Sequence, residues 1–99
     1  MEMRFGEVVA ILMKEKKHVQ VTTMMLIDLI NRIDRFVNKG KIGCARSVLT
    51  VVKKYFGIVI TDIKDQKLGE YLTEKIKEVE TKVEEKAKEI FGGDENESS

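Results

Sequence analysis

Five polar residues between positions 46 and 54 are spaced so that they share one face of a helix: Arg46, Ser47, Thr50, Lys53 and Lys54. At about 100° per residue, the opposite face is apolar and contains Ala45, Val48, Leu49, Val52, Tyr55 and Phe56. A guanidinium donates two hydrogen bonds to a guanine edge, hydroxyls donate to bases or phosphates, and ammonium groups neutralise phosphates. The spacing therefore predicts a face that contacts double-stranded DNA, with Arg46 as its base-reading residue.

Four further lysines flank this helix in the sequence, Lys39 and Lys41 before it and Lys64 and Lys67 after it. We expect their ammonium groups to contact phosphates, which fixes the register on DNA without reading its sequence. A second interpretation stays open, because a helix packed on a small core must expose one charged face to water.

No residue set with catalytic or metal-binding spacing accompanies this face. Cys44 has no second cysteine, and His18 has no cysteine or aspartate at the spacing of metal ligands. Gly40 and Gly43 belong to no phosphate-binding loop. We therefore expect a protein that is not an enzyme and that has no cofactor and no metal.

The composition favours one small domain in the cytoplasm. The chain has 99 residues, of which 42% are hydrophobic and 35% are charged, and it has a single cysteine. Its longest uncharged stretch, residues 19–27, is far shorter than the roughly 20 residues that cross a membrane, so no membrane segment is predicted. A preference for Lys over Arg and for Glu over Asp is typical of proteins from hot environments.

The net charge of +1 conceals a division between the two halves of the chain. Residues 1–56 contain 11 basic and 5 acidic residues, whereas residues 57–99 contain 7 basic and 12 acidic residues. The basic half includes the candidate DNA-binding helix, and the acidic half is suited to docking on a basic protein partner.

Periodicity predicts four helices and three short strands. The predicted helices cover residues 3–17, 23–38, 44–56 and 73–91, and the predicted strands cover residues 19–21, 58–61 and 68–72. Residues 92–99 have the polar composition of a disordered acidic tail.

This order of elements resembles that of a winged helix-turn-helix domain. The segment from Arg46 to Ile60, RSVLTVVKKYFGIVI, is similar to a recognition helix that continues into the first strand of a wing. Tyr71–Lys75, YLTEK, is similar to the sequence that follows the wing in this family. Ile76 stands where the family usually has a glycine. The resemblance implies a fold that is mainly α with a small β-hairpin. It divides the chain into a winged domain over 1–72 and a C-terminal helix over 73–91 for dimerisation or packing, as in small archaeal DNA-binding proteins.

The C-terminal helix carries an apolar stripe at heptad-like spacing, formed by Leu72, Ile76, Val79, Val83 and Ile90. This stripe predicts a homodimer interface, or alternatively packing against the first helix of the same chain. The leading functional expectation is a dimeric transcriptional regulator that reads the major groove with residues 44–56, associated with the nucleoid. The alternative is a protein-interaction subunit of a replication, repair or transcription complex, with its acidic C-terminal helix against a protein partner.

Overall fold

The computed structural model describes residues 2–98, with side chains for residues 2–91, and contains four helices. They are α1 (Phe5–Leu12), α2 (Lys17–Asn38), α3 (Ile42–Val59) and α4 (Gln66–Ser98). Helices make up 82% of the chain, and residues 2–98 contain no strand, so the fold class is all-α. The predicted acidic tail, residues 92–99, lies outside the residues whose side chains are described.

The predicted β-hairpin, and with it the winged helix-turn-helix architecture, is wrong. Residues 19–21 lie inside α2, residues 58 and 59 end α3, and residues 68–72 lie inside α4. Val19 and Val59 are β-branched, but each is buried at helical spacing from the other core residues of its helix. Burial of a helical apolar stripe outweighs the weak preference of β-branched side chains for strands.

α2 and α3 form an antiparallel hairpin. At one end, Gly40 has a φ of 75°, which permits the tight turn between the two helices. The N–H of Lys41 donates to the carbonyl of Phe36 at 2.8 Å, and the N–H of Gly40 donates to the carbonyl of Val37 at 3.0 Å. This pair of bonds is the Schellman arrangement that ends many helices. At the other end, His18 Nε2 lies 2.8 Å from Asp62 Oδ2, so the helices lie side by side along their length.

α4 fills one of the two grooves of this hairpin. Its residues Ile76, Val79, Val83 and Ala87 belong to the same buried cluster as the inward faces of α2 and α3. Two ion pairs border this contact: Lys82 Nζ donates to Asp34 Oδ1 at 2.8 Å, and the ammonium of Lys53 lies against the carboxylate of Glu80. The predicted boundary at residue 73 therefore falls inside a helix that shares its core with α2 and α3.

α1 forms a smaller core with the first turns of α4. Val8 and Leu12 of α1 cluster with Leu68 and Leu72 of α4, and all four side chains are buried. None of the four helices, over the residues described, is both long enough and apolar enough to cross a membrane.

Candidate interaction surfaces

The structure divides the predicted DNA-contact residues between opposite ends of the hairpin. Lys39 and Lys41 lie at the α2–α3 turn, whereas Lys64 and Lys67 lie beyond the far end of α3. An 18-residue helix separates the two pairs by about 27 Å. The nine predicted residues therefore do not form a single compact surface.

The polar groups of α3 are partly engaged within the chain. Ser47 Oγ donates to the Gly43 carbonyl at 3.1 Å, and Thr50 Oγ1 donates to the Arg46 carbonyl at 3.0 Å. Lys53 is paired with Glu80. A duplex would have to compete with these intramolecular bonds.

Five of the six cations in residues 35–61 have no ion-pair partner among the residues described: Arg35, Lys39, Lys41, Arg46 and Lys54. All five are exposed. Four of them, Arg35, Lys39, Lys41 and Arg46, lie at or beside the α2–α3 turn.

The residues predicted to form a dimer interface contribute mostly to the core. Leu72, Ile76, Val79 and Val83 are between 0% and 7% exposed, and Ile90 is 45% exposed. Leu72 packs with α1, and the other three buried residues pack with α2 and α3. Their heptad-like spacing marked a buried stripe, and the rest of the same chain covers it.

A different apolar face is left uncovered. We call it the open groove; it is lined by Val21, Met25, Leu29 and Phe36 of α2 and by Val48, Val51, Tyr55 and Ile58 of α3, of which Leu29, Phe36 and Val48 are partly buried against the core. The four most exposed of these are Val21 at 59%, Ile58 at 58%, Val51 at 41% and Tyr55 at 40%.

The position of the open groove follows from helix geometry. Asp34 and Lys53 each come one residue after a buried residue, and both form ion pairs with α4. Most of the open-groove residues instead come one residue before a core residue, as Val51 does before Val52. Successive helical residues differ by about 100°, so these two sets project to opposite sides of the hairpin. The open groove therefore lies on the side away from α4.

The prediction from sequence missed this surface because it assigned Tyr55, which is 40% exposed, to the buried side of α3. Val48, assigned to the same side, does pack against the core. The available signal was the pairing of apolar positions along the helix, namely 48 and 49, 51 and 52, 55 and 56, and 58 and 59. Because of this pairing, the apolar face of α3 spans a wider angle around the helix than packing on one side of the hairpin requires.

Among the residues described, no group of three or more His, Cys, Asp or Glu side chains is arranged to hold a metal ion. Cys44 is exposed and free. His18, near the start of α2, is paired with Asp62, which lies just beyond the end of α3.

Comparison of the chain with protein-family models, curated proteins and solved structures found no significant match.

Proposed function

We propose that the protein is a non-enzymatic interaction module that binds another protein through the open groove. The observation that carries this proposal is the exposure of Val21, Val51, Tyr55 and Ile58 on one side of the α2–α3 hairpin. Large contiguous apolar patches are uncommon on monomeric proteins and mark sites of interaction. Burial of apolar surface stabilises a complex by about 25 cal/mol per Å², so the open groove offers substantial binding free energy.

The test is purification of the tagged protein from its natural source after nuclease treatment. We expect one stoichiometric partner with the wild type and its loss with the double substitution Val51→Ser and Ile58→Ser. The matched control is Val9→Ser with Met13→Ser, which removes two exposed apolar residues near α1. Retention of the same partner by the groove variant would refute the proposal.

A second candidate function is binding of double-stranded DNA, in a dimer, through the α2–α3 turn. Residues 35–61 contain six basic residues and no acidic residue, and five of the six cations have no ion-pair partner among the residues described. The first turn of α3 directs backbone N–H groups toward the same end, which favours contact with a phosphate.

α4 weakens this second candidate. Glu85, Glu89 and Asp34 line one surface depression close to the α2–α3 turn, where these three carboxylates outnumber the ammonium groups of Lys82 and Lys86. The carboxylates lower the positive potential that would attract a duplex. We therefore rank DNA binding below protein binding.

The test of the second candidate is a salt titration of duplex binding with protein of measured solution mass. We expect Lys39→Ala with Lys41→Ala to weaken binding to all duplexes and to reduce its salt dependence. Arg46→Ala should lower discrimination between sequences, and Lys77→Ala with Lys88→Ala on α4 serves as the control. No retardation of any duplex at low salt would exclude this function.

A further inference from the structure

We propose that the open groove binds an amphipathic helix whose flanks are acidic. The inference rests on the proposed function and adds the chemical class of the partner. Both the shape of the groove and the charges beside it support this class.

The hairpin already binds one helix in this way. On its other side α4 places Val79 and Val83 between α2 and α3, while Glu80 on the flank of α4 pairs with Lys53 of α3. Two helices packed side by side leave a groove on each side, and a third helix fits such a groove at an interaxial distance of about 8–10 Å. The open groove is the unfilled counterpart of the α4 site, and it is lined by apolar side chains from both helices.

Two cations that border the open groove, Lys17 and Lys54, have no ion-pair partner among the residues described. Lys54 lies three residues after Val51 and four before Ile58, and Lys17 lies four residues before Val21, so each ammonium neighbours a groove residue.

The acidic side chains at the border are already engaged. Asp28 accepts from Arg32 Nε at 3.1 Å, and Asp62 pairs with His18. Among the residues whose side chains are described, the border therefore offers an occupant two unpaired ammonium groups and no unpaired carboxylate. Lys53 and Glu80 provide the precedent for such a contact on the opposite side of α3.

A second copy of the chain fits this border less well than an acidic helix. A two-fold contact would place the same face on both sides of the interface, so Lys17 and Lys54 of both copies would border it. Like charges in one interface disfavour association, whereas glutamates on a partner helix would pair with them.

The test uses a displayed library of helices of about 20 residues. Their apolar positions are fixed, and each flanking position is Glu, Gln or Lys. Selection on the wild-type protein should enrich Glu at the flanks. Lys54→Glu should weaken the selected helices about five- to tenfold, because an exposed ion pair is lost and a repulsion is added. Lys88→Glu on α4 makes the same change in net charge and should leave binding unchanged.

Val51→Ser with Ile58→Ser should weaken the selected helices about a hundredfold, with circular dichroism used to confirm an unchanged fold. Absence of flank preference, enrichment of Lys, or failure to select any helix would overturn the inference. So would a wild-type dimer that becomes monomeric in this variant, since a second copy would then occupy the groove. A groove-dependent partner from the natural source, without acidic preference in the library, refutes only the inference and leaves the proposed function standing.

Discussion

The carboxylate of Glu15 accepts a hydrogen bond of 2.8 Å from the backbone N–H of Asp65, fifty residues further along the chain. Both oxygens of the same carboxylate also lie 3.1 Å from the backbone nitrogen of Lys64. Glu15 is 8% exposed. The connection between α1 and α2 is thereby attached to the connection between α3 and α4, at the point where α4 begins.

Glu15→Ala should lower the free energy of unfolding by about 1.5–3 kcal/mol, because two backbone N–H groups lose a charged acceptor in a partly buried site. Glu15→Gln retains one acceptor oxygen and should cost less. Urea denaturation measures both values. Glu2→Ala, a change of an exposed glutamate near the N-terminus, is the control, and equal midpoints for Glu15→Ala and this control would contradict the prediction.

Thr23→Val should raise the free energy of unfolding by about 1 kcal/mol. Thr23 is fully buried in α2, and its hydroxyl has no hydrogen-bond partner. Valine has nearly the same shape and removes the unpaired polar group. The expected rise in Tm is about 4–8 °C for a domain of this size, measured by thermal denaturation. Thr81→Val at an exposed position of α4 should change stability by less than about 0.5 kcal/mol, and a loss of stability in Thr23→Val would contradict the prediction.

Gly40→Ala should destabilise the protein by about 1 kcal/mol, since an alanine is strained at a φ of 75°. A Cβ at this position would lie 3.8 Å from Ile90 Cδ1, an ordinary contact, so the cost is conformational. Gly57→Ala should have the opposite sign and stabilise by about 0.5–1 kcal/mol, because Gly57 lies inside α3 with open space around its Cα. Denaturation of the two variants side by side provides the comparison, and an equal effect of both substitutions would be inconsistent with the turn geometry.

The hydrogen bond from Lys82 to Asp34 raises the pKa of Lys82 above 10.5. A raised folded-state pKa contributes stability that is fully present below pH 10.5 and is lost as the pH rises through the folded value. The effect is small because both side chains are about half exposed. As the pH rises from about 9 to about 12, the free energy of unfolding should therefore fall less in Lys82→Gln than in the wild type.

Urea midpoints across this pH range test the Lys82 prediction. Lys88→Gln is the control, because it removes an exposed lysine of the same helix that has no ion-pair partner among the residues described. Identical pH profiles for Lys82→Gln and Lys88→Gln would show that the bond to Asp34 does not contribute.

Helical periodicity predicted that most of the chain is helical, and two of the three wrongly predicted strands, residues 19–21 and 58–61, are short β-branched runs. The third, residues 68–72, has no β-branched residue and lies inside α4. Residues 58–60 have the composition of a strand, yet Val59 continues the buried stripe of α3 seven residues after Val52. Only the tertiary contact that buries Val59 decides between the two structures, and that contact involves residues distant in sequence. The same reason explains why α2 begins at Lys17, six residues before its predicted start.

The surfaces were harder to predict than the elements. Spacing alone identified Ile76, Val79 and Val83 as a stripe that must be covered, but α2 and α3 cover it where a second copy was expected. On α3 the alternation of polar and apolar residues could not distinguish Val51, which is 41% exposed, from Val52, which is fully buried. Which apolar arc is buried depends on the side of the hairpin that α4 occupies.

Apolar residues occur in adjacent pairs along α2 and α3, and this pairing affects the handedness of the bundle that these helices form with α4. A hairpin with an apolar groove on each side offers two positions for α4. The two positions give three-helix bundles of opposite handedness. In the observed arrangement, the contacts of Glu15 with residues 64 and 65 and the packing of α1 on Leu68 and Leu72 hold the beginning of α4 in place. The short first helix and its loop therefore favour one handedness of the three-helix bundle. Their removal should yield some molecules in which the bundle has the opposite handedness.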